Sequence, residues 1–538
     1  MFLTVIYSHI QATAVFVLHY FYHNKRQFMS KHFLLFLLSV FVSVQLKSQT
    51  ILPKEGSVLN YRLIGFTISP VLQTDVYEIE IAAGNYASES SFKKHVVITE
   101  KGKTNRILAR VPAFGAEYTW RVIYKGADAK TMQLHHFSTA TVPYVDTANT
   151  RLRVVKNAEK YKDAYVFLDG NKALYDMDGS AVWFLPQIPG VVEAGSVVRD
   201  LKHTPQGTIT FMTGSQGDFM ACEINYNGEV LWKCPNNGKV SGNGVEDYHH
   251  QFTRLLSGHY MVLGNEWTDV FLKVSRKKDS SLLIGAVVDK PSDSVVKIDK
   301  KPFGTLIEYD ESGAVAWSYK SSGYFNGSDL INHRDANGKI DVNVHDNAFF
   351  FDDKTQTAYI SFKDISRVIK LKYPEGKVMN TYGKIYKKGS PDNGNKLFCD
   401  QHCCRISEKG YLYLFNNNSC NAGSMPKITM MQEPATAGDT LKKIWEYECN
   451  YDGLTEKEKQ NKAQPLGGSV LELGDLSMLA CMGSVHSKVF IVNQDKKVLW
   501  SAVPEMWDKN THEWIVLPQY RADIITDRQD IDRLIWGN

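Results

Sequence analysis

From residue 58 to 140 apolar and polar residues alternate in short runs: VLNYRLIGFTIS, DVYEIEIA, HVVITEK, RILARVP, EYTWRVIYKG and QLHHFSTA. A period of two with no helical period predicts strands that bury one face, and so an antiparallel β-sandwich. Residues 141–150 (TVPYVDTANT) read as a linker. Beyond it one unit recurs: an apolar strand, a turn, two further strands, then a Gly-containing turn and a closing strand that often ends in Trp. The copies begin at AYVFLDGNKALYDMDGSAVWF, TITFMTGSQGDFMACEINYNGEVLWK, HQFTRLLSGHYMVLGNEW, HDNAFFFDDKTQTAYISF, HCCRISEKGYLYLFNNNS and GSVLELGDLSMLACMGSV. Six units of four short strands predict a six-bladed β-propeller, since a β-solenoid has shorter and more regular repeats. The terminal PQYRADIITD is expected to supply the strand that closes the ring on the first blade.

The fold class expected is therefore all-β: a β-sandwich over 50–145 and a propeller over 150–538. The pair EYTWRVIY and HFSTA resembles the closing strands of fibronectin type III domains, which makes the sandwich immunoglobulin/fibronectin-like. Upstream, Met29-Ser30-Lys31-His32 precedes FLLFLLSVFVSV and the polar QLKSQ. A dozen apolar residues after a basic start have the length of a signal-peptide core and are too short for a membrane-spanning helix. Residues 1–48 are read as a signal peptide with an upstream extension, translation starting at Met29, which places the mature chain in the periplasm or outside the cell. A two-segment membrane anchor is the rival reading. No Cys precedes Cys222, which argues against lipid anchoring.

Composition narrows the partners. The chain has 538 residues, 43% hydrophobic and 22% charged, with 62 basic and 58 acidic side chains giving a net charge of +4. The basic residues form no stripe, so nucleic acid is not an expected partner. Eight cysteines in an exported chain allow disulfides. Cys399, Cys403, Cys404 and Cys420 cluster, and at least one bridge is expected among them. Their spacing matches no familiar zinc pattern, so no metal site is assigned.

Antiparallel strands alternate direction, so every blade's first strand starts at one mouth of the central channel and every second strand returns there. His250 opens the third blade, His345 the fourth and His402 the fifth. The spacing from His250 to the turn Gly258 equals that from His402 to Gly410, and the same count back from Gly207 reaches Arg199. Lys363 ends the second strand of the fourth blade and Asn416, Asn417 and Asn418 that of the fifth. A single His at a strand start is ordinarily a turn residue bonded to backbone. Three at one register in consecutive blades point to a shared channel site. His203, His259 and His486 lack that register and are read as structural or surface residues.

With these residues in place, HHQF followed by SGHYMVL, VHDNAFFF followed by YISFKDISRVIKL, and QHCCRISEKGYLYLFNN resemble, in order, the three signature segments of the bacterial arylsulfotransferases. The resemblance covers residues 150 onward. It implies a periplasmic enzyme that moves a sulfuryl group from an aryl sulfate to a phenol by a ping-pong reaction. It also implies no nucleotide sulfate donor, no cofactor and no metal, and it permits a homodimer through the N-terminal domain. By resemblance His402 carries the transient sulfuryl group, His345 and Asn347 occupy the H-x-N positions, and His250 is the His of the HH segment, with His249 a one-residue alternative.

The chemistry suits those residues. A neutral imidazole, ordinary pKa about 6.5, is nucleophilic near neutral pH. A sulfuryl group in flight spreads negative charge over its oxygens and needs fixed donors, which His345, Asn347 and a cation supply. His250 can exchange a proton with the phenol. One departure stands out: where the family has Arg, this chain has Lys363, a point charge without Arg's planar fork. Arg367, on the same rim, and Arg199 are the other candidate cations. Two alternatives accompany the enzyme reading. One is an inactive propeller that binds an aryl anion or a glycan, and the other a metal-dependent hydrolase or lyase using the three histidines.

Overall fold

Strands Tyr165–Leu168, Ala173–Asp176 and Ala181–Phe184 form an antiparallel sheet whose fourth member comes from the other end of the chain, Ala522–Ile525, with Leu168 opposite Ala522 and Tyr165 opposite Ile525. The computed structural model that gives this pairing describes residues 51–537, except 71–73, 127–129, 132, 142–148, 216–217, 277–281, 288–294, 326–332, 335–339, 342–343, 384–396, 422, 437–440 and 462–465. The leader expected over 1–48 and most of the linker lie outside the described residues.

Five more four-stranded antiparallel units follow. Their first strands are Val197–His203, Tyr248–Arg254, Asp346–Asp352, His402–Ile406 and Ser469–Glu472. The last unit also receives Thr150–Lys156 and Glu513–Val516 on its outermost strand, Val498–Asp508. The chain is thus all-β, and the first strands after residue 149 are paired twice with strands near the C-terminus by backbone hydrogen bonds. The third unit departs from the short strands expected. Tyr260–Arg276 and Val295–Tyr309 pair far beyond the sheet, and Leu282–Val287 adds to the projecting part.

Over 57–139 the strands fall into a six-stranded and a two-stranded sheet, the latter pairing Leu63–Thr67 with Arg106–Arg110. Phe66 of the small sheet meets Trp120 and Phe137 of the large one edge-on, at ring-centroid distances of 4.8 and 6.2 Å. The same buried cluster runs on through Trp183, Phe211 and Leu534 of the repeat units. Burying each such side chain contributes about 1.5–3 kcal/mol, so the N-terminal strands dock by a shared core. Trp183 donates its indole N–H to the Tyr226 carbonyl at 2.8 Å, and Tyr61 lies over the Tyr226 ring at 4.5 Å.

Among the described residues three α-helices occur in regions where only strands are expected, the four-residue Glu456–Lys459 and two longer ones. Ser88 caps Glu89–Lys94, and Asp527 caps Arg528–Trp536 by accepting from the Gln529 N–H. The second buries Ile531 and Leu534, three apart and therefore on one face. It reaches the N-terminal domain at Gly65, where a Cβ would sit 2.3 Å from Ile535. Only glycine permits that approach.

Candidate active site

The first strands of four units share one irregularity. Their pairing with the second strand shifts register between Arg199 and Lys202, between Tyr248 and Phe252, between Asp346 and Ala348, and between His402 and Cys404. Left-handed backbone accompanies each shift, at Asp200, His250, His345 and Cys403, with φ between 51° and 64°. A bulge bends the strand and re-aims a side chain, and a non-glycine residue in this conformation costs about 1–3 kcal/mol. The cost falls at one end of every affected strand, around one cavity.

That cavity has a volume of about 400 Å³ and is lined by Arg199, His249, His250, His345, Asp346, Lys363, His402 and Tyr520, with Phe219, Tyr248, Pro302 and Leu466 as its apolar wall. Arg199, His250, His345, Lys363 and His402, read from the register of the repeats, thus converge on one space. His249 lines it as well, but His250 is the one beside His345, their Nε2 atoms 3.3 Å apart.

His402 is 2% exposed. Its Nδ1 lies 3.3 Å from the Asp400 carbonyl and 2.9 Å from Asn417 Nδ2. Asn417 donates to two carbonyls, Asp400 at 3.0 Å and Gly467 at 3.1 Å, which takes up both of its amide hydrogens. With both amide hydrogens on those carbonyls, the His402 proton sits on Nδ1 toward the Asp400 carbonyl and Nε2 keeps its lone pair, the tautomer a nucleophilic ring requires. Burial, then the nearby Lys363, His345 and Arg521 charges, holds the His402 imidazole well below its ordinary pKa. Burial, with His249, His345 and Arg199 around it, does the same to His250. Both rings are neutral near pH 7.

Cations surround them. Lys363 Nζ pairs with Asp364 at 3.1 Å, and the Asp364 carboxylate also lies 3.4 Å from His345 Nδ1. The Lys363 N–H donates to the His345 carbonyl at 2.9 Å, so the second strand does return to the first strand's start. The Arg199 guanidinium sits between the Phe219 and Tyr520 rings, 4.9 and 5.0 Å from their centroids. Stacking of this kind fixes a cation without neutralising it.

Two expected binding residues lie off the cavity. Asn347 is fully buried and donates to the Gln401 carbonyl at 2.7 Å, which ties the fourth unit to the fifth. The register shift after Asp346 turns its side chain away. The Arg367 guanidinium faces the Phe325 ring at 5.9 Å, and its carbonyl accepts from Gln401. The disulfide expected in the cysteine cluster joins Cys399 and Cys420, while Cys403 and Cys404 are buried free thiols. His203 and His259 are bound to Asp523 and Glu308, each at 2.7 Å, as structural residues. Among the described residues no group of three His, Cys, Asp or Glu is arranged to hold a metal ion.

The repeat register did not yield Tyr520, whose ring lies 5.8 Å from that of His250 and 6.1 Å from that of His402. It precedes the strand Ala522–Ile525 that pairs with the first unit, so counting that strand as a first strand would have found it. Asp169 fixes the stretch by accepting the Tyr520 and Arg521 N–H groups at 2.9 and 2.8 Å. Arg521 then bridges Asp200 and the Asn347 carbonyl, each at 2.9 Å.

No curated protein matches the chain. Solved structures that share only remote likeness include a protein of unknown function from Bacteroides caccae, at 12% identity and TM-score 0.38 over 68% of this chain and 98% of that one. A periplasmic gluconolactonase from Pseudomonas aeruginosa is 10% identical, with TM-score 0.29 over 70% and 99%. The Dos1 propeller is 10% identical, with TM-score 0.27 over 63% and 77%. Likenesses of this size carry no argument about this chain. The model of one family, Arylsulfotransferase (ASST), matches residues 146–452. That is more than half of the chain and includes Arg199, His250, His345, Lys363 and His402; the chain belongs to the arylsulfotransferase family.

Proposed function

We propose that this chain is an exported aryl-sulfate sulfotransferase that works by a ping-pong reaction through a sulfohistidine at His402. The observation that carries the reading is the His402 ring: buried, neutral, held at Nδ1, and set in a cavity with two more histidines, Lys363 and Arg199. In the first half-reaction Nε2 attacks sulfur, the aryl O–S bond breaks, and a phenolate leaves. In the second, a phenol gives up its proton, its oxygen attacks the same sulfur, and the N–S bond breaks. Lys363, His345 and Arg199 hold the sulfuryl oxygens, which is worth about 3–4 kcal/mol for a well-placed donor. The apolar wall of Phe219, Pro302 and Leu466 takes the aryl ring. Aryl sulfates and phenolic small molecules are the substrates, and no nucleotide donor is needed.

In the same reading the six four-stranded units are the blades of a propeller, and the two sheets over 57–139 are an immunoglobulin/fibronectin-like sandwich. The short apolar run after Lys31 supports export to the periplasm. The Cys399–Cys420 bridge agrees with an oxidising compartment. A second reading, a relict that binds an aryl anion or glycan, draws on the family Arg being Lys363 here, with Asp364 partly neutralising it. Purified protein incubated with a chromogenic aryl sulfate separates the two. Phenol-dependent release that survives a chelator is the expected result, phenol-independent release abolished by the chelator would indicate a metal hydrolase, and no release would favour the relict.

A further inference from the structure

Three imidazoles in the cavity are linked in series, and the series ends on a carboxyl at both sides. Asp346 Oδ1 lies 3.6 Å from His249 Nε2, the loosest link and just beyond hydrogen-bond reach. His249 Nδ1 lies 2.8 Å from His250 Nδ1. His250 Nε2 lies 3.3 Å from His345 Nε2, and His345 Nδ1 lies 3.4 Å from Asp364 Oδ2. Both ring nitrogens of His250 thus face another imidazole.

The three contacts within reach take one proton each, and three neutral imidazoles supply all three. His249 is then left with a lone pair on Nε2 that faces Asp346 Oδ1, an arrangement that suits a carboxylic acid and repels a carboxylate. Asp364 is paired with Lys363 and is the ionised end. Asp346 is 2% exposed, has no lysine or arginine paired with it, and its Oδ2 has no hydrogen-bond partner among the described residues. An ionised carboxylate left that way costs several kcal/mol, whereas a neutral carboxyl costs far less. Burial, opposed by the charge of His249 and aided by that of Asp247, pushes the Asp346 carboxyl up to about 6, so the acid is the larger form below pH 6 and about a tenth of the population at pH 7. Arg199 and His402 also face His250 and disfavour a charged ring there. The neutral-acid arrangement runs in one direction throughout: Asp346 O–H to His249, His249 Nδ1–H to His250, His250 Nε2–H to His345, His345 Nδ1–H to Asp364. The chain also makes room for the acid. Gly304 lies against it so closely that a Cβ there would sit 2.1 Å from the carboxyl carbon.

Building on the sulfohistidine reading, we infer that Asp346 is a buried proton store which, through His249 and His250, lends its proton to the departing phenolate and recovers it from the incoming phenol. In the first half-reaction His250 gives its Nε2 proton to the phenolate oxygen. His250 takes one at Nδ1 from His249, which takes one at Nε2 from Asp346. The products are a neutral phenol, the sulfohistidine and ionised Asp346, with three imidazoles still neutral. The second phenol reverses the three hops as its oxygen attacks sulfur. The two half-reactions then exchange one proton inside the protein, with no call on solvent. His249 and Asp346 are positioning residues in this scheme, since neither needs to touch substrate.

The leaving group reports on this directly. Phenyl sulfate departs as a phenolate of pKa about 10, like tyrosine's, and needs the proton. 4-Nitrophenyl sulfate departs as a stable anion and does not. His249→Gln and Asp346→Asn, both close in shape to the originals, are to be compared with wild type for single-turnover labelling of His402 from each donor. Labelling from phenyl sulfate is expected to fall about 10²-fold or more in both variants, the usual scale of general acid catalysis. Labelling from 4-nitrophenyl sulfate should fall at least about 10-fold less than labelling from phenyl sulfate in the same variant. Equal slowing with both donors, or slowing with neither, would overturn the store while leaving the sulfohistidine intact. No label in wild type from either donor would overturn the sulfohistidine reading and the store together.

Discussion

Asn417 Nδ2 sits 2.9 Å from His402 Nδ1 while donating to the Asp400 and Gly467 carbonyls on either side. The amide, one residue past the second strand Leu412–Asn416 of the same unit, therefore helps set where the ring lies. Asn417→Leu removes both donations, leaving the Gly467 carbonyl without this donor and the Asp400 carbonyl with the His402 ring alone, a loss of about 1–3 kcal/mol. If that loss reaches the nucleophile's placement, kcat should fall about 5- to 150-fold with KM little changed. Steady-state kinetics with a chromogenic donor at saturating phenol checks the split between the two constants.

Lys363 is the cation that reaches both the cavity and the His345 strand. Lys363→Ala is expected to lower turnover about 10²–10³-fold, the scale of one lost donor to a developing oxyanion. Lys363→Arg should hold or raise the rate, because a planar fork can grip two oxygens. Arg367→Ala, whose side chain faces Phe325 away from the cavity, should change kcat/KM by less than about 3-fold. Arg199→Ala tests the other wall, and a loss larger than that of Lys363→Ala would make Arg199 the main anchor.

The acidity of His402 gives a pH signature. In the proposed reaction the neutral ring is the nucleophile, and burial and the Lys363 charge hold its pKa below the ordinary value. The acid limb of donor kcat/KM assigned to this ring should therefore lie below about pH 6.5. Lys363→Gln removes a positive charge that opposes protonation, so the ring's pKa rises and the limb moves to higher pH. A limb that stays put, or moves down, would show that Lys363 does not act on this ring.

Much of this geometry is legible in one sequence. The count from His250 to Gly258 and from His402 to Gly410 places both histidines, and Arg199, at one cavity because a repeated strand–turn–strand unit fixes side-chain parity. Lys363 follows from the antiparallel return. Parity fails where a strand bulges, and the shift after Asp346 is why Asn347 serves the Gln401 carbonyl and not the cavity. The meeting of PQYRADIITD with the first unit is expected from sequence, but not that Tyr520, just before the pairing strand, faces the cavity or that Asp169 holds it there. Nor does local pattern reveal that Ile531 and Leu534 would be the buried face of a helix in an otherwise all-strand reading.

The Cys399–Cys420 bridge closes a loop with a sequence separation of 21, and Asp400 and His402 lie just inside it. The Cys399 N–H donates to Asn416 at 3.0 Å, and its carbonyl accepts from Asn418 at 3.2 Å. Replacing both cysteines by Ser should lower unfolding free energy by about 2–4 kcal/mol. Non-reducing peptide mapping should find Cys399 joined to Cys420 and the other six thiols free. Urea titration of the double variant against wild type measures the loss.

The sulfuryl group itself gives the most direct test. Protein exposed to an aryl sulfate without acceptor, then digested and weighed, should carry one added sulfuryl mass on the peptide that contains His402. The label should persist in base, disappear in acid, and transfer to a phenol added afterwards. His402→Ala should abolish label and turnover together, whereas His250→Ala should slow turnover yet leave some label. A sulfuryl group found on Ser, Tyr or Cys, or turnover that survives in His402→Ala, would contradict the account.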